Sequence, residues 1–314
     1  MEFKKIAVVG SGTMGHGIAQ TFASFGYPTV VIDIIPEALE TAKKLVNKNI
    51  EVMLSEKFIT EEQALNTKNN LSFSSNYEDA KDADFVVEAV PEKPEIKAAV
   101  FNELDKVVKP ETVLASTTSA MNVYGVVNVS HPERVLITHF NNPSHIIPLV
   151  EIVAGPLSSK ELLSEVRALI EGIGKSPVVL NQYVPGFIVN RLTAALLREC
   201  SYIVDKGWAT PEDVDTAFMA NQGLKASFEG PLELMDYIGW DVAAGVGQII
   251  YPMLSDEKTP SPLALKMLQA GRLGIKAGKG LKDYSGKTRE ELQAARDKKV
   301  LEVCKLTREL NKNK

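Results

Sequence analysis

Short apolar runs rich in β-branched residues recur along the first 184 residues, and stretches with helical spacing separate them. The runs are Ile6–Val9, Thr29–Ile32, Phe85–Val87, Thr112–Ala115, Val135–Thr138, Leu149–Val153 and Pro177–Leu180. A strand with one wet face alternates apolar and polar positions. Runs apolar at nearly every position are strands covered on both faces. Such strands in alternation with helices predict a doubly wound α/β domain. The segment from Glu37 to Asn70 breaks the rhythm as a charged helical excursion, longer than an ordinary crossover.

Beyond Val184 the pattern changes. Pro185-Gly186 punctuates the chain, and from Phe187 onward the periodicity is helical, with no convincing strand. Thr210, Pro211 and Asp213 form a helix start with an N-cap, a proline at the first position and an acid at the third. Between Thr288 and Leu310 a charged helix places Val303, Leu306 and Leu310 on one face. The pattern predicts an α/β domain over residues 1–184 and an all-helical domain over residues 185–314.

Composition narrows the class. The 314 residues are 45% hydrophobic and 24% charged, which suits an ordinary globular protein with ample core. A formal net charge of −5 argues against a nucleic-acid partner, which requires a basic excess. No apolar run reaches the roughly 18–20 residues of a membrane span. The first residues, Met1 to Ile6, lead into a strand without the apolar core and cleavage site of a signal peptide, so a cytoplasmic location is expected. Two cysteines, Cys200 and Cys304, leave no material for a disulfide framework or a cysteine zinc cluster, and no metal is expected.

Candidate chemistry begins after the first run. Gly10, Gly12 and Gly15 are spaced G-x-G-x-x-G between a strand and a helix whose apolar face carries Met14, Ile18 and Phe22. The first glycine permits a tight turn, the second a close approach of backbone to pyrophosphate, and the third close helix–sheet packing. The helix N-terminus around Thr13 and Met14 adds unpaired N–H groups and a positive dipole end. Asp33 ends the second run 18 residues after Gly15 and is positioned to accept from a ribose diol. No arginine follows it closely, so the cofactor predicted for this Rossmann-type domain is NAD rather than NADP. Further along, His139 and Glu151 flank the loop Asn141–Pro148. A carboxylate on one imidazole nitrogen fixes the tautomer and leaves the other as a general base. Spacing alone leaves this pair open, since a sheet-edge histidine and a solvated glutamate fit equally well.

Several blocks now occur in order: Gly10–Gly15, Val87–Glu92 with Lys97, Ser116–Ser119, His139–Pro143, Pro148–Glu151, Pro185–Arg191, Gly230-Pro231 with Asp236, and Gly274–Gly280 with Tyr284. Together they resemble the L-3-hydroxyacyl-CoA dehydrogenase family over nearly the whole chain. The resemblance implies a Rossmann-type domain followed by a helical domain that carries a homodimer interface. It implies reversible NAD-dependent oxidation of the C3 hydroxyl of a small-molecule substrate, a short 3-hydroxyacyl-CoA of the 3-hydroxybutyryl-CoA type. His139 is then the base and Glu151 its orienting partner, while Asn190 and Thr118 hold the substrate. Asp33, Glu92, Lys97, Ser116 and Asn142 join the glycine turn in contacting NAD.

Three departures bear on the substrate. Thr118 stands where the family carries a catalytic serine. The excursion holds Lys43, Lys44 and Lys48 but little beyond Lys57 of the family's lysine cluster for the CoA phosphates. Lys225, in the segment before Pro231, matches a basic position of the branches that act on free hydroxy acids, and the loop Asn142–Pro148 and the tail after Tyr284 also resemble those branches. Substrate-binding candidates are therefore Thr118, Asn190, Lys225 and Lys48, with a free carboxylate-bearing hydroxy acid as the alternative to a thioester. A catalytically retired NAD-binding protein is the reading of another class, and the presence of both His139 and Glu151 argues against it.

Overall fold

A computed structural model describes residues 2–311 and divides into two compact units, the first ending at Asn190 and the second beginning at Arg191. In the first unit, β1 (Ile6–Val9), α1 (Gly15–Ser24) and β2 (Thr29–Ile32) are followed by the two helices of the charged excursion, α2 (Pro36–Ser55) and α3 (Glu61–Asn70). Next come β3 (Leu71–Ser74), β4 (Phe85–Glu88), α4 (Pro94–Val107), β5 (Val113–Ser116), β6 (Val135–Phe140), β7 (Leu149–Val153), α5 (Lys160–Gly172) and β8 (Ser176–Leu180). They build one eight-stranded sheet in the order β3-β2-β1-β4-β5-β6-β7-β8. The first six strands run parallel in the dinucleotide-binding order, and β7 joins β6 antiparallel.

Each of the seven runs seen in the sequence falls on a strand, with Thr112 just ahead of β5, and β3 is the strand that pattern reading missed. Its residues Leu71-Ser72-Phe73-Ser74 alternate, because an edge strand wets one face, and they stand directly after a helix with no turn residue between. Thr60 caps α3 through a reciprocal box with Gln63, so the excursion folds as two helices rather than one.

Successive side chains of a strand face opposite sides of the sheet, and both sides are apolar here. Ile6 and Val8 of β1 pack with Ile18 and Phe22 of α1 and with Leu162, Val166 and Ile170 of α5. Ala7 and Val9 pack on the other face with Val100, Phe101 and Leu104 of α4. Strand order reverses direction between β1 and β4. The chain there places Gly10 against Ala89: a Cβ on Gly10 would lie 2.7 Å from the Ala89 carbonyl oxygen, and its φ is +99°. In open α/β sheets the ligand crevice lies at that switch point, outside the carboxyl ends of the strands.

Helix α6 (Val189–Asp205) starts in the first unit and crosses into the second, a few residues beyond Pro185-Gly186. The second unit continues with α7 (Pro211–Ala220), α8 (Gln222–Lys225), α9 (Pro231–Ile238), α10 (Trp240–Ile250), α11 (Pro262–Gln269) and α12 (Arg289–Leu310). Capping boxes at Thr210 and Thr288 start α7 and α12. Among its described residues only Gly247, Ser255, Gly280 and Leu301 are buried. The face of α12 with Val303, Leu306 and Leu310 is exposed. No helix among the described residues is long and apolar enough to cross a membrane.

Candidate functional site

At the carboxyl end of β1 the three glycines do different work. A Cβ on Gly15 would sit 1.7 Å from the Gly10 carbonyl oxygen, so the helix can approach the turn only without a side chain. A Cβ on Gly12 would meet nothing within 4 Å. The fold itself therefore has no need of a glycine there, and the open space over Gly12 is where a pyrophosphate fits. Helix α1 carries no side-chain cap and no acid in its first turn, which leaves its positive end available to an anion. His16 donates from Nδ1 to the Gly12 carbonyl at 2.7 Å, which holds that carbonyl back toward the helix. Asp33, half-buried after β2, accepts from both the amide and the hydroxyl of Ser11 at 2.8 and 2.7 Å, and from the amide of Ile35 at 3.1 Å. The carboxylate is thereby locked beside the turn that would carry the ribose. These features fit NAD.

Beside the switch point lies a buried charge network. Glu88, at the end of β4, is fully buried, yet its carboxylate meets the Lys97 ammonium at 2.8 and 3.0 Å. The same carboxylate accepts from Ser116 Oγ at 2.6 Å and from the Val90 amide at 2.8 Å. Lys97 also stands 3.2 Å from Glu92, which is half-exposed and accepts from the Thr118 hydroxyl. Burial pushes the Glu92 carboxyl up, and the hydroxyl of Thr118 and the Lys97 ammonium more than reverse this, leaving it below its ordinary value. Lys97 and Ser116 are thus turned inward, and Glu92 is the member of the network that reaches solvent. The Thr118 hydroxyl accepts from the amide of Met121 at 2.9 Å, so this group too is engaged within the chain.

The antiparallel pairing of β6 and β7 sets His139 directly opposite Glu151. Glu151 is fully buried, and its Oε2 lies 2.8 Å from His139 Nδ1. Its Oε1 accepts from the amides of Ile188 at 2.7 Å and Val189 at 3.1 Å, the entry of α6. Burial alone would raise the Glu151 carboxyl; the bonds from His139, Val189 and Ile188 outweigh it and hold the pKa below 4.5. Two residues in left-handed backbone make this possible, Gly186 at φ +79° and Phe187 at φ +52°. For phenylalanine that conformation costs about 1–3 kcal/mol. It turns the chain so that consecutive amides face Glu151, while the Phe187 ring packs 5.4 Å from the imidazole. Asn190 donates to the Ser119 carbonyl at 3.0 Å, which brings it beside the Ser116–Ser119 loop.

The remaining candidates stand elsewhere. Asn142 is exposed in the turn after β6. Lys44 and Lys48 are exposed on α2, and neither takes part in an ion pair among the described residues. Lys225 ends α8 in the second unit. Sequence reasoning passed over Glu88 as a functional residue, although an acid at the end of an apolar central strand is itself a signal. It also passed over His16, Ser11 and Phe187, whose roles depend on backbone geometry that carries no spacing signature.

Residues 5–183 match the model of the 3-hydroxyacyl-CoA dehydrogenase NAD binding domain, and residues 186–284 that of the 3-hydroxyacyl-CoA dehydrogenase C-terminal domain. The chain is 34% identical over 305 residues to a 5-formyl-3-hydroxy-2-methylpyridine 4-carboxylate 5-dehydrogenase of Mesorhizobium japonicum, covering 96% of this chain and 98% of that protein. It is 37% identical over 290 residues to a probable 3-hydroxybutyryl-CoA dehydrogenase of Bacillus subtilis, covering 92% and 100%. Among solved structures, a 5-formyl-3-hydroxy-2-methylpyridine 4-carboxylic acid 5-dehydrogenase, described as an NAD+ dependent dismutase, superimposes with a TM-score of 0.90 at 33% identity, covering 98% of this chain and 99% of that one. The (S)-3-hydroxybutyryl-CoA dehydrogenase PaaH1 of Ralstonia eutropha gives 0.75 at 30% identity, covering 90% and 100%.

The two glycine contacts lead to opposite expectations. Gly12→Ala should unfold at the wild-type temperature while its NAD dissociation constant rises by about tenfold or more, since the new methyl occupies ligand space. Gly15→Ala should lose about 1–3 kcal/mol of stability, because backbone must move. Thermal melts beside NAD titrations check both; a Gly12→Ala protein that binds NAD normally would refute the assignment. For Glu151 the sign follows from its lowered pKa. Its ionised form is favoured by folding, so the contribution is complete above pH 4.5 and disappears as pH falls through the folded value. Acid unfolding of Glu151→Gln should accordingly lack part of the wild-type loss of stability below that pH.

Proposed function

The chain belongs to the 3-hydroxyacyl-CoA dehydrogenase family of NAD-dependent oxidoreductases acting on CH–OH groups, and from that premise we propose that His139 is its general base. The observation that carries this is the 2.8 Å bond from Nδ1 to the buried Glu151 carboxylate. It commits Nδ1 to donating and leaves Nε2 to take the substrate's hydroxyl proton. Glu151 orients the ring and stabilises the imidazolium as the proton arrives. NAD, when bound, supplies the hydride acceptor. In the reverse direction His139, now protonated, returns the proton to the developing alkoxide. Asn190 positions the reacting oxygen, and Glu92, held by Lys97 and Thr118, faces the cofactor.

For the substrate we favour a small molecule with a free carboxylate over a CoA thioester. The support is the fit over the whole length: TM-score 0.90 over 98% of the chain to an enzyme named for a pyridine carboxylic acid, against 0.75 over 90% for a 3-hydroxybutyryl-CoA dehydrogenase. A carboxylate leaving water requires a cation, and Lys225 is the residue we assign to it, on its resemblance to the basic position of free-acid branches. The thioester reading is supported by the relatives named 3-hydroxybutyryl-CoA dehydrogenase and by Lys44 and Lys48, two exposed cations one turn apart on α2.

We also propose that the second unit is covered by a second copy of the chain. Helix α10 is apolar on nearly every side, and a helix of that kind is stable only when buried. Leu232, Tyr237, Ile249 and Tyr251 are each 69–75% exposed. A self-complementary two-fold contact is the commonest way to cover such a surface.

His139→Gln should bind NAD normally while kcat falls about 100-fold or more and the acidic limb of the oxidation pH profile disappears. The substrate is decided by following NADH with free hydroxy acids and hydroxyacyl-CoA thioesters side by side. Lys225→Met should raise KM for an active free acid by about 100-fold. Turnover confined to thioesters, with loss in a Lys44→Ala, Lys48→Ala double variant, would instead establish the CoA reading. Sedimentation should give twice the chain mass, and Ile249→Glu should shift it toward the single chain; a wild-type protein sedimenting as one chain at micromolar concentration would rule out the second copy.

A further inference from the structure

Two features of the first unit are each unfavourable where they stand, and both serve one contact. Lys175, just before β8, is 8% exposed, and its ammonium donates to the carbonyls of Ser144 at 2.6 Å and Ile147 at 2.8 Å. Desolvating an ammonium is expensive, so one that stays buried must be held by the acceptors it meets. Gly17 lies inside α1, where glycine is about 1 kcal/mol worse than alanine. A Cβ on Gly17 would stand 2.5 Å from Ser144 Oγ and 3.0 Å from His145 Nδ1.

Between these two features sits the turn that joins β6 to β7. The amides of Ile146 and Ile147 both bond to the Pro143 carbonyl, which makes a single helical turn with its carbonyls pointing toward Lys175. A cation at the carbonyl end of such a turn satisfies acceptors that would otherwise be buried without partners. On its other side the turn is seated on the phosphate-binding helix. Ser144 Oγ donates to the Met14 carbonyl at 2.9 Å, and His145 lies over Gly17 with its ring 6.3 Å from that of His16. Burial first, then His16 and Lys175, push His145 down to about 3, so the turn presents no second cation to the ammonium at neutral pH.

We propose that Lys175 is a positioning residue, whose ammonium presses the turn Pro143–Ile147 onto α1 and so sets the cofactor's phosphate end at a fixed distance from His139. The turn starts beside Asn142 and links the strands that carry His139 and Glu151, so the ends of the acid–base pair and the glycine turn share one rigid contact. Hydride transfer is sensitive to this spacing: a displacement of about 1 Å costs roughly 100-fold in rate. The proposal rests on the assignment of His139 as base, and its test separates the two.

Lys175→Met keeps the volume and removes the donors. It should lower kcat by about 10- to 100-fold and raise the NAD dissociation constant by about tenfold, with the acidic limb of the pH profile at its wild-type position. His139→Gln removes that limb and leaves NAD binding intact, so failure of the base assignment shows itself in a different variant and a different readout. Lys175→Ala should regain activity with added ethylammonium, saturably, because the missing group is a small cationic donor. Gly17→Ala tests the same contact from the helix side without touching a charge; it should reproduce the loss of kcat and of NAD affinity. Folded Lys175→Met and Gly17→Ala proteins with wild-type kcat and NAD affinity would overturn the proposal, as would a Lys175→Ala protein that ethylammonium leaves inactive.

Discussion

Glu151 is a carboxylate with no exposure to solvent, and the arrangement of the first unit follows from the donors it must be given. An ionised carboxylate buried without partners would be untenable, so three donors converge on it: one imidazole nitrogen and two backbone amides. The imidazole comes from the neighbouring strand, where the antiparallel register of β6 and β7 sets His139 opposite Glu151. The amides come from the entry of α6 and require a left-handed turn at a bulky residue. The left-handed backbone at Phe187 and the register of β6 with β7 converge on the same carboxylate. Both bring donors to a charge that in turn fixes which nitrogen of His139 is free.

A second buried charge is handled in the same way on the cofactor side. Glu88 takes a lysine, a serine hydroxyl and a backbone amide, from α4, β5 and the loop after β4. The ion pair with Lys97 is weak evidence for stability, since a well-packed apolar pair would hold the sheet as firmly. Its effect is directional: Lys97 extends past Glu88 to Glu92, and Glu92 engages Thr118. A charge fixed deep in the sheet is carried by two hydrogen-bonded steps to the surface of the crevice. Locally unfavourable choices of this kind cluster at functional sites, because only the site's work retains them.

The second unit poses a different physical problem. Its helices are well capped and their sequences are apolar enough for a core, yet four buried residues among those described are too few to hold such a unit together. Local propensity therefore starts and stops these helices, while most of their apolar surface stays uncovered within the unit. That division explains why the capping signal at Thr210 was easy to read, while the face of α12 with Val303, Leu306 and Leu310 remains exposed.

Sequence alone determined the features that depend on short-range physics. Apolar runs marked six strands whose burial on both faces leaves no alternation, and the edge strand β8, whose run is apolar although it is only partly buried; the glycine spacing with Asp33 specified the cofactor because turn, approach and packing each demand a glycine at a fixed offset. β3 escaped because its apolar Leu71 and Phe73 alternate with serines and form no apolar run. The pairing of His139 with Glu151 lay open on spacing, and only the antiparallel register decided it, since two strand residues meet or miss by a shift of one position. Lys97 and Ser116 were expected to contact the cofactor; in the folded unit both bond to the buried carboxylate of Glu88, a partner that spacing did not single out. Lys175 and Gly17 are unremarkable letters in the chain. Tertiary structure alone brings a buried ammonium and a missing side chain to opposite sides of one turn, because the cost of a buried charge exists only once the surroundings have closed around it.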